Sequence, residues 1–158
     1  MTPKEGKELS EILCVGRFVN KIHFLDIKKN PIEDEVDIFA INKLGEQMKF
    51  QIVNADPQFS GEIGKHISAR RKGYVEEKLF IRDNSNALNI INPIKSKINL
   101  YQKQGKDMHD IILLLDDATG DMPEFLLKTV KEENADILLS SGFKEIWYIG
   151  NSSFFKFF

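Results

Sequence analysis

The sequence predicts an α/β fold, with a mixed central sheet flanked by helices, in a single domain spanning residues 1–158. Three observations lead to this prediction. A capped helical segment opens the chain, a β-hairpin follows at about 34–54, and an apolar run at 110–115 lies between two helical segments. Helices and strands in this order bury their apolar faces by packing the helices on the sheet.

The first helix carries a capping signature. Thr2 is placed as the N-cap, Pro3 as the first helical residue, and Glu5 as the acid that completes a capping box. Apolar residues at helical spacing then predict the buried stripe, which consists of Leu9, Ile12, Leu13, Val15 and Val19. A short strand is expected at 22–27.

The hairpin is the most informative part of the chain. A three-residue loop at 43–45, with glycine in the left-handed position, is a common hairpin connection. That loop pairs Asn42 with Glu46, and counting back places Asp37 opposite Gln51. Residues that lie directly opposite each other share a face of the sheet, so Asp37 and Gln51 are expected to lie side by side.

The two faces of this hairpin differ in character. One is uniformly apolar and is predicted to pack on the core: Val36, Ile38, Ala40, Met48, Phe50 and Ile52. The other mixes polar and apolar residues, as a partly covered site would: Glu35, Asp37, Phe39, Ile41, Gln47, Lys49, Gln51 and Val53. A register shift of one residue would destroy this sorting, which supports the chosen loop.

The remaining segments complete the predicted order. They are a basic segment at 61–73, a strand at 75–81, a helix at 85–104, a buried strand at 110–115, one or two helices at 122–142, a strand at 144–150 and a hydrophobic tail at 152–158. Ile94, Ile98 and Tyr101 form the apolar stripe of the long helix. The tail is open to three interpretations: a strand, an oligomer contact, or the edge of a longer chain.

Composition excludes some functional classes. The net charge is −2, so nucleic acid binding would need a local basic patch. A single cysteine, Cys14, rules out an internal disulfide and fits a reducing compartment. No apolar run approaches the roughly 18 residues of a membrane span, and the N-terminus is too polar for a signal peptide. We therefore expect a cytoplasmic protein with no membrane partner.

The order of elements resembles the restriction-endonuclease-like (PD-(D/E)xK) superfamily. The strand EVDIFAIN is similar to the strand that carries the metal-binding aspartate, here Asp37. The turn and strand LGEQMKFQIVN are similar to those that end Glu-x-Lys, at Gln51 and Val53. IKSKINLYQKQ followed by DIILLLDD resembles the helix and buried strand that come next, and FKEIWYIG resembles the terminal strand. The motif is degenerate, because an amide and a valine occupy the Glu and Lys positions.

The resemblance implies a divalent metal site. Two acids would hold Mg²⁺ or Mn²⁺ against the scissile phosphate, and these cations prefer carboxylate oxygens. Asp37 and Gln51 are the ligands expected in the hairpin, and Glu11, or Glu8, is expected to reach in from the first helix. A plain alternative is that Asp37 lies on a solvent face and that Gln51 is only a cross-strand hydrogen-bond partner.

The catalytic lysine is missing from its usual place. Val53 cannot replace it, so Lys49 on the same face or Lys65 on the following segment would have to stand in. With these substitutes the catalytic set becomes Asp37, Gln51, Lys49 and Lys65.

A basic cluster after the hairpin could meet phosphates, namely Lys65, Arg70, Arg71 and Lys72, although a solvated face is the commoner role of such residues. Three functional hypotheses follow. The chain is a degenerate relative that binds DNA or RNA, or acts as an accessory subunit, with weak or no cleavage. Alternatively, it is an active metal-dependent nuclease with a displaced lysine. The third hypothesis is a non-enzymatic interaction or immunity-type factor, with a protein partner or a second copy of itself.

Overall fold

The computed structural model describes residues 2–19, 24–29, 36–42, 44–55, 87–117 and 120–158. The helices are α1 Pro3–Val19, α2 Asn92–Lys103, α3 Glu124–Glu133 and α4 Ala135–Leu139, and a 3₁₀ turn at Ala87–Ile91 precedes α2. The strands are β1 Phe24–Lys29, β2 Ile38–Asn42, β3 Gln47–Asn54, β4 Ile111–Asp117, β5 Glu145–Gly150 and β6 Phe154–Lys156. The predicted α/β class, with a mixed sheet flanked by helices, is confirmed.

The strands form one six-stranded sheet in the order β1-β2-β3-β4-β5-β6. β1, β2 and β3 pair antiparallel, β3, β4 and β5 pair parallel, and β6 returns antiparallel to β5. All seven residues of β4 are buried, as its continuous apolar run predicts for a strand covered on both faces.

Two apolar clusters cover the two faces of the sheet. The α1 face holds Cys14, Val15, Phe18, Val19, Ile38, Ala40, Phe50, Ile112, Leu114 and Ile149. The opposite face, which we call the α2 face, joins the buried residues of α2, α3 and α4 to Leu113, Leu115, Ile146 and Tyr148. Because side chains alternate along a strand, even-numbered residues of β3 and β4 point to α1 and odd-numbered ones to α2.

The capping box at the start of α1 is formed as predicted. The Glu5 backbone N–H donates to Thr2 Oγ1 (3.3 Å), and the Thr2 backbone N–H donates to Glu5 Oε2 (2.6 Å). These bonds satisfy backbone donors that have no partner within the helix. Glu5 Oε2 also accepts from Thr2 Oγ1, and these bonds lower the pKa of the Glu5 carboxyl.

The predicted apolar stripe of α1 is partly wrong. Leu9 and Leu13 are 44% and 55% exposed, whereas Glu11 is only 6% exposed and lies beside Cys14 on the buried side. The buried side of α1 is instead centred on Cys14, Val15 and Phe18. Periodicity alone could not identify this side, because apolar residues occur on both sides of the helix.

The hairpin has the predicted register. Ile38 pairs with Phe50 and Ile41 with Gln47, and Gly45 has the left-handed backbone (φ +79°) that the loop requires. One residue was placed on the wrong face: Val36 packs in the α2-face cluster rather than with Ile38 and Ala40. The alternation fails there because β2 begins at Ile38, after a bend at residue 37.

The C-terminal tail forms β6, so the strand interpretation of the tail is confirmed. Its backbone continues to pair with β5, since the Phe157 N–H donates to the Ile146 carbonyl (2.9 Å) and the Ile146 N–H to the Phe158 carbonyl (3.0 Å). Phe157 is buried in the α2-face cluster. The hydrophobic tail therefore belongs to the core. None of the described helices is both long enough and apolar enough to cross a membrane.

Candidate functional site

Asp37 and Gln51 form a side-chain pair on the α2 face. Gln51 Nε2 donates to Asp37 Oδ2 at 2.6 Å, and the Ile52 backbone N–H donates to the same oxygen at 3.0 Å. Gln51 is 6% exposed, and Asp37 is half-buried. One carboxylate oxygen thus accepts two hydrogen bonds, both from neutral donors.

The hairpin explains why these two residues meet. The loop around Gly45 fixes the register, and the register places residue 37 across from residue 51. β3 is also bonded on its other side to β4, where Gln51 pairs with Leu113. Gln51 is therefore held in a central strand, while Asp37 lies in the bend just before β2 and presents its carboxylate to Gln51.

Lys49 lies one pleat from Gln51 on the same face, and its ammonium is directed to a different acid. Lys49 Nζ lies 2.9 Å from Asp110 Oδ2, and the two side chains are 35% and 45% exposed. The hydrogen bond from Lys49 lowers the pKa of the Asp110 carboxyl. Asp110 directly precedes β4, whose first residue, Ile111, pairs with Lys49.

Tyr101 of α2 covers the same face and was predicted only as a core residue. It is 6% exposed, and burial raises the pKa of its hydroxyl to about 12, with a further contribution from the negative charge of Asp37. The charge of Asp37, which precedes β2, thus acts on the Tyr101 hydroxyl of α2. The helical spacing of Tyr101 from Ile94 and Ile98 predicts that it is buried. Its proximity to Asp37 depends on how α2 crosses the sheet, which the spacing does not predict.

The structure does not bring Glu11 to Asp37 and Gln51. Glu11 lies on α1, which packs on the opposite face of the sheet, and its carboxylate contacts Lys7 at 3.5 Å. The pKa of the Cys14 thiol is raised mainly by burial and next by the charge of Asp116. The charge of Glu11 raises it further by a smaller amount. A metal held jointly by Asp37, Gln51 and Glu11 does not fit this arrangement.

Asp116 is the other buried acid on the α1 face. Arg17 Nη2 lies 2.6 Å from Asp116 Oδ1, which ties α1 to the end of β4. This ion pair was not predicted from the sequence. An arginine near the end of a helix and an acid at the end of a strand are each common, and only the packing of α1 on β4 makes them partners.

Several predicted residues lie outside the described part of the chain. Glu35 precedes the described start of the hairpin at residue 36, and the basic residues Lys65, Arg70, Arg71 and Lys72 fall between residues 55 and 87. Their predicted roles in catalysis or nucleic acid binding remain predictions.

The described residues do not fit an Mg²⁺ or Mn²⁺ site of the expected kind. Asp37 supplies one carboxylate, and the amide of Gln51 presents its N–H₂ group, a donor, to that carboxylate. Within the described ranges, no group of three or more His, Cys, Asp or Glu side chains is arranged to hold a metal ion. Val53, at the position of the usual lysine, packs against the α2-face cluster.

Comparison of the chain with protein families, with curated proteins and with solved structures finds no match in any of the three.

Proposed function

We propose that this chain is a degenerate restriction-endonuclease-like protein that binds nucleic acid, or serves as an accessory subunit, with weak or no cleavage. The observation that carries the proposal is the contact between Gln51 Nε2 and Asp37 Oδ2. A nuclease strand would place a second acid where Gln51 stands. Here that position holds a neutral donor.

Two acids that face each other repel, and a divalent cation between them removes the repulsion. An amide that donates to the remaining acid removes the repulsion without a cation. For the Gln51 oxygen to bind a metal beside Asp37, the amide would have to turn over and give up its 2.6 Å hydrogen bond.

The lysine position supports the same conclusion. Val53 has no charge to stabilise a transition state, and Lys49 is engaged with Asp110 at 2.9 Å. A displaced lysine such as Lys65 belongs to the alternative of an active nuclease. We derive no catalytic step through a metal from the described residues, because only one carboxylate is available to it.

The order of elements supports the superfamily assignment. A capped helix, three antiparallel strands, a helix and a buried parallel strand follow one another, and this is the order that carried the resemblance. Fold alone does not assign activity. The nucleic acid part of the proposal therefore rests on the resemblance and on the basic cluster, and it requires a direct test.

The test compares the wild-type protein with Asp37→Ala on plasmid DNA and on structured RNA, with Mg²⁺, with Mn²⁺ and with a chelator. We expect no cutting that depends on both metal and Asp37. We expect salt-sensitive binding that weakens when Arg70 and Arg71 are replaced by glutamine. A double variant, Gln51→Glu with Val53→Lys, restores the motif, and cutting gained by this variant would support descent from a nuclease.

Two results would overturn the proposal. Metal-dependent cutting by the wild type that is lost in Asp37→Ala would establish the active nuclease. Neither binding nor cutting of any nucleic acid would leave the protein-interaction or immunity-type hypothesis.

A further inference from the structure

The helix α2 is cationic and carries no acid. Residues 87–106, which include α2, contain four lysines and no aspartate or glutamate, although the net charge of the whole chain is −2. Each of the other described helices carries at least one acid. Among the described helices, α2 therefore stands out for positive charge that its own residues do not balance.

Two of these lysines lie in one row along the outside of α2. The side of α2 that packs on the core consists of Ile94, Ile98 and Tyr101. Lys95, Asn99 and Lys103 follow one another at four-residue spacing, so their side chains lie one above the other on the helix. Asn99 and Lys103 are exposed and Lys95 is half-buried. We call these three residues the lysine row.

The lysine row lacks the acid that balances a lysine elsewhere. In α3, Lys128 Nζ lies 3.4 Å from Glu124 Oε1, four residues away, and such a pair balances the charge within the helix. α2 contains no acid that could do the same for Lys95 or Lys103. Neither lysine forms an ion pair with another residue of the described ranges. Both ammonium groups are therefore open to an anion from outside the chain.

Lys95 also lies where the helix itself disfavours a cation. It belongs to the first turn of α2, and that turn holds no acid. The partial positive charge at the N-terminus of a helix attracts anions and repels cations, whereas Lys103, in the last turn, is placed favourably. The stability of the helix does not account for a lysine in the first turn, and an anion bound there would offset the repulsion.

The neighbours of the lysine row are neutral, and most of them can donate hydrogen bonds. Asn92, Ser96 and Asn99 are exposed, and Leu100, which is 46% exposed, carries no charge. Lysine together with serine and asparagine is a set of side chains that proteins use to contact the phosphate oxygens of nucleic acids. The outward face of α2 thus presents donors to a polyanion without a carboxylate of its own that would repel it.

The spacing within the lysine row fits a phosphate backbone. Eight residues separate Lys95 from Lys103, which corresponds to about 12 Å along the helix. One strand of a duplex has a phosphate about every 3.4 Å along its axis, so this distance spans about three to four phosphates. The two lysines can therefore reach different phosphates of the same strand.

We propose that the outward face of α2 binds the sugar–phosphate backbone of a nucleic acid duplex. Lys95 and Lys103 bind separate phosphates, and Ser96 and Asn99 donate to the phosphate oxygens between them. The inference rests on the proposed function and names the surface that would carry it. Because these contacts are to the backbone and not to base edges, the face recognises charge and spacing rather than sequence.

The test measures fluorescence anisotropy of two labelled duplexes of unrelated sequence at several salt concentrations. Lys95→Gln with Lys103→Gln is compared with Lys128→Gln with Lys131→Gln, which removes the same charge from exposed positions of α3. We expect the α2 pair to weaken binding to both duplexes by about tenfold or more and to reduce the salt slope by about 2, since each phosphate contact contributes about 0.9. The α3 pair should bind like the wild type.

Asn99→Glu is the second variant, and it retains both lysines. The new carboxylate stands four residues from Lys95 and four from Lys103, so it supplies the acid that α3 has and α2 lacks. We expect Asn99→Glu to weaken binding about as much as the double lysine variant does, with the helical circular dichroism of the wild type. Asn99→Gln, which keeps a neutral amide, is its matched control and should bind like the wild type.

The failures of the two proposals are distinguishable. If the wild type binds the duplexes and the α2 variants bind them as tightly as the α3 pair does, the assignment to α2 is wrong and the proposed function stands. Heparin that binds as tightly as the duplexes, with the same loss in the α2 variants, would assign the face to polyanions in general and overturn the assignment to nucleic acid. If the wild type binds no nucleic acid at all, both proposals fall.

Discussion

Asp37 and Asp116 lie on opposite faces of the same sheet and are held by different kinds of partner. Asp116 is paired with the guanidinium of Arg17 at 2.6 Å, so a cation balances its charge. Asp37 receives its bonds from an amide and a backbone N–H, both neutral. The difference teaches that a carboxylate on this sheet can be held by a cation on one face and by neutral hydrogen-bond donors on the other.

Breaking the Arg17–Asp116 pair should have the largest effect. Arg17→Met leaves Asp116, which is 8% exposed, without its guanidinium. We expect the free energy of unfolding to fall by about 2 kcal/mol, below the value for a fully buried pair because the Arg17 side chain is 25% exposed. Urea denaturation measures the change.

The matched control for that variant is the double substitution Arg17→Met with Asp116→Asn, which also removes the stranded charge. It should recover part of the lost stability. If Arg17→Met alone is as stable as the wild type, then the ion pair does not hold α1 on the sheet.

Removing the other acid should have a smaller effect. Asp37→Ala leaves Gln51 Nε2 and the Ile52 N–H without their acceptor, and we expect a loss of about 1–2 kcal/mol. Asp37→Asn retains an acceptor oxygen and should lose less. Gln47→Ala provides a control, because Gln47 is an exposed residue of β3, the strand that carries Gln51. Equal stability of Asp37→Ala and Asp37→Asn would contradict the hydrogen-bond account.

The titration of Tyr101 reports whether Asp37 keeps its charge. Burial and that charge raise the pKa of Tyr101 from 10.0 to about 12. The unfolded chain gives up this proton near its ordinary pKa, so the folded state should lose stability as pH rises from about 10 to 12. Asp37→Asn should lower the Tyr101 pKa, measured by NMR, while burial keeps it above 10.0, and Asp116→Asn should leave it unchanged. An unchanged value in Asp37→Asn would show that the charge is not felt at Tyr101.

Local features of the fold were predictable from the sequence, and so was the contact between Asp37 and Gln51. The loop at Gly45 and the alternation of the strands fixed the register, and the register placed Asp37 beside Gln51. The buried stripe of α2, with Ile94 and Ile98, followed from helical spacing. Each of these depends on residues close together in the chain.

Contacts between distant segments could not be predicted in the same way. The contact of Lys49 with Asp110 requires β4 to lie beside β3, and the burial of Glu11 requires a particular rotation of α1. Leu9 and Leu13 showed that an apolar stripe does not fix that rotation, because both are exposed. Tertiary packing decided these positions.

The central claim is that the Asp37–Gln51 pair is complete without a metal ion, and the thermal stability of Gln51→Glu tests it most directly. This variant places two carboxylates in contact at a site where the wild type has one. In chelator we expect the Tm of Gln51→Glu to lie below that of the wild type, and in millimolar Mn²⁺ we expect it to rise again. The Tm of the wild type should be the same in chelator and in Mn²⁺. The recovery should vanish when Asp37→Asn is added, and Gln47→Glu, on the same strand, should show no response to Mn²⁺. A wild-type Tm that rises in Mn²⁺ and loses this rise in Asp37→Asn would contradict the account.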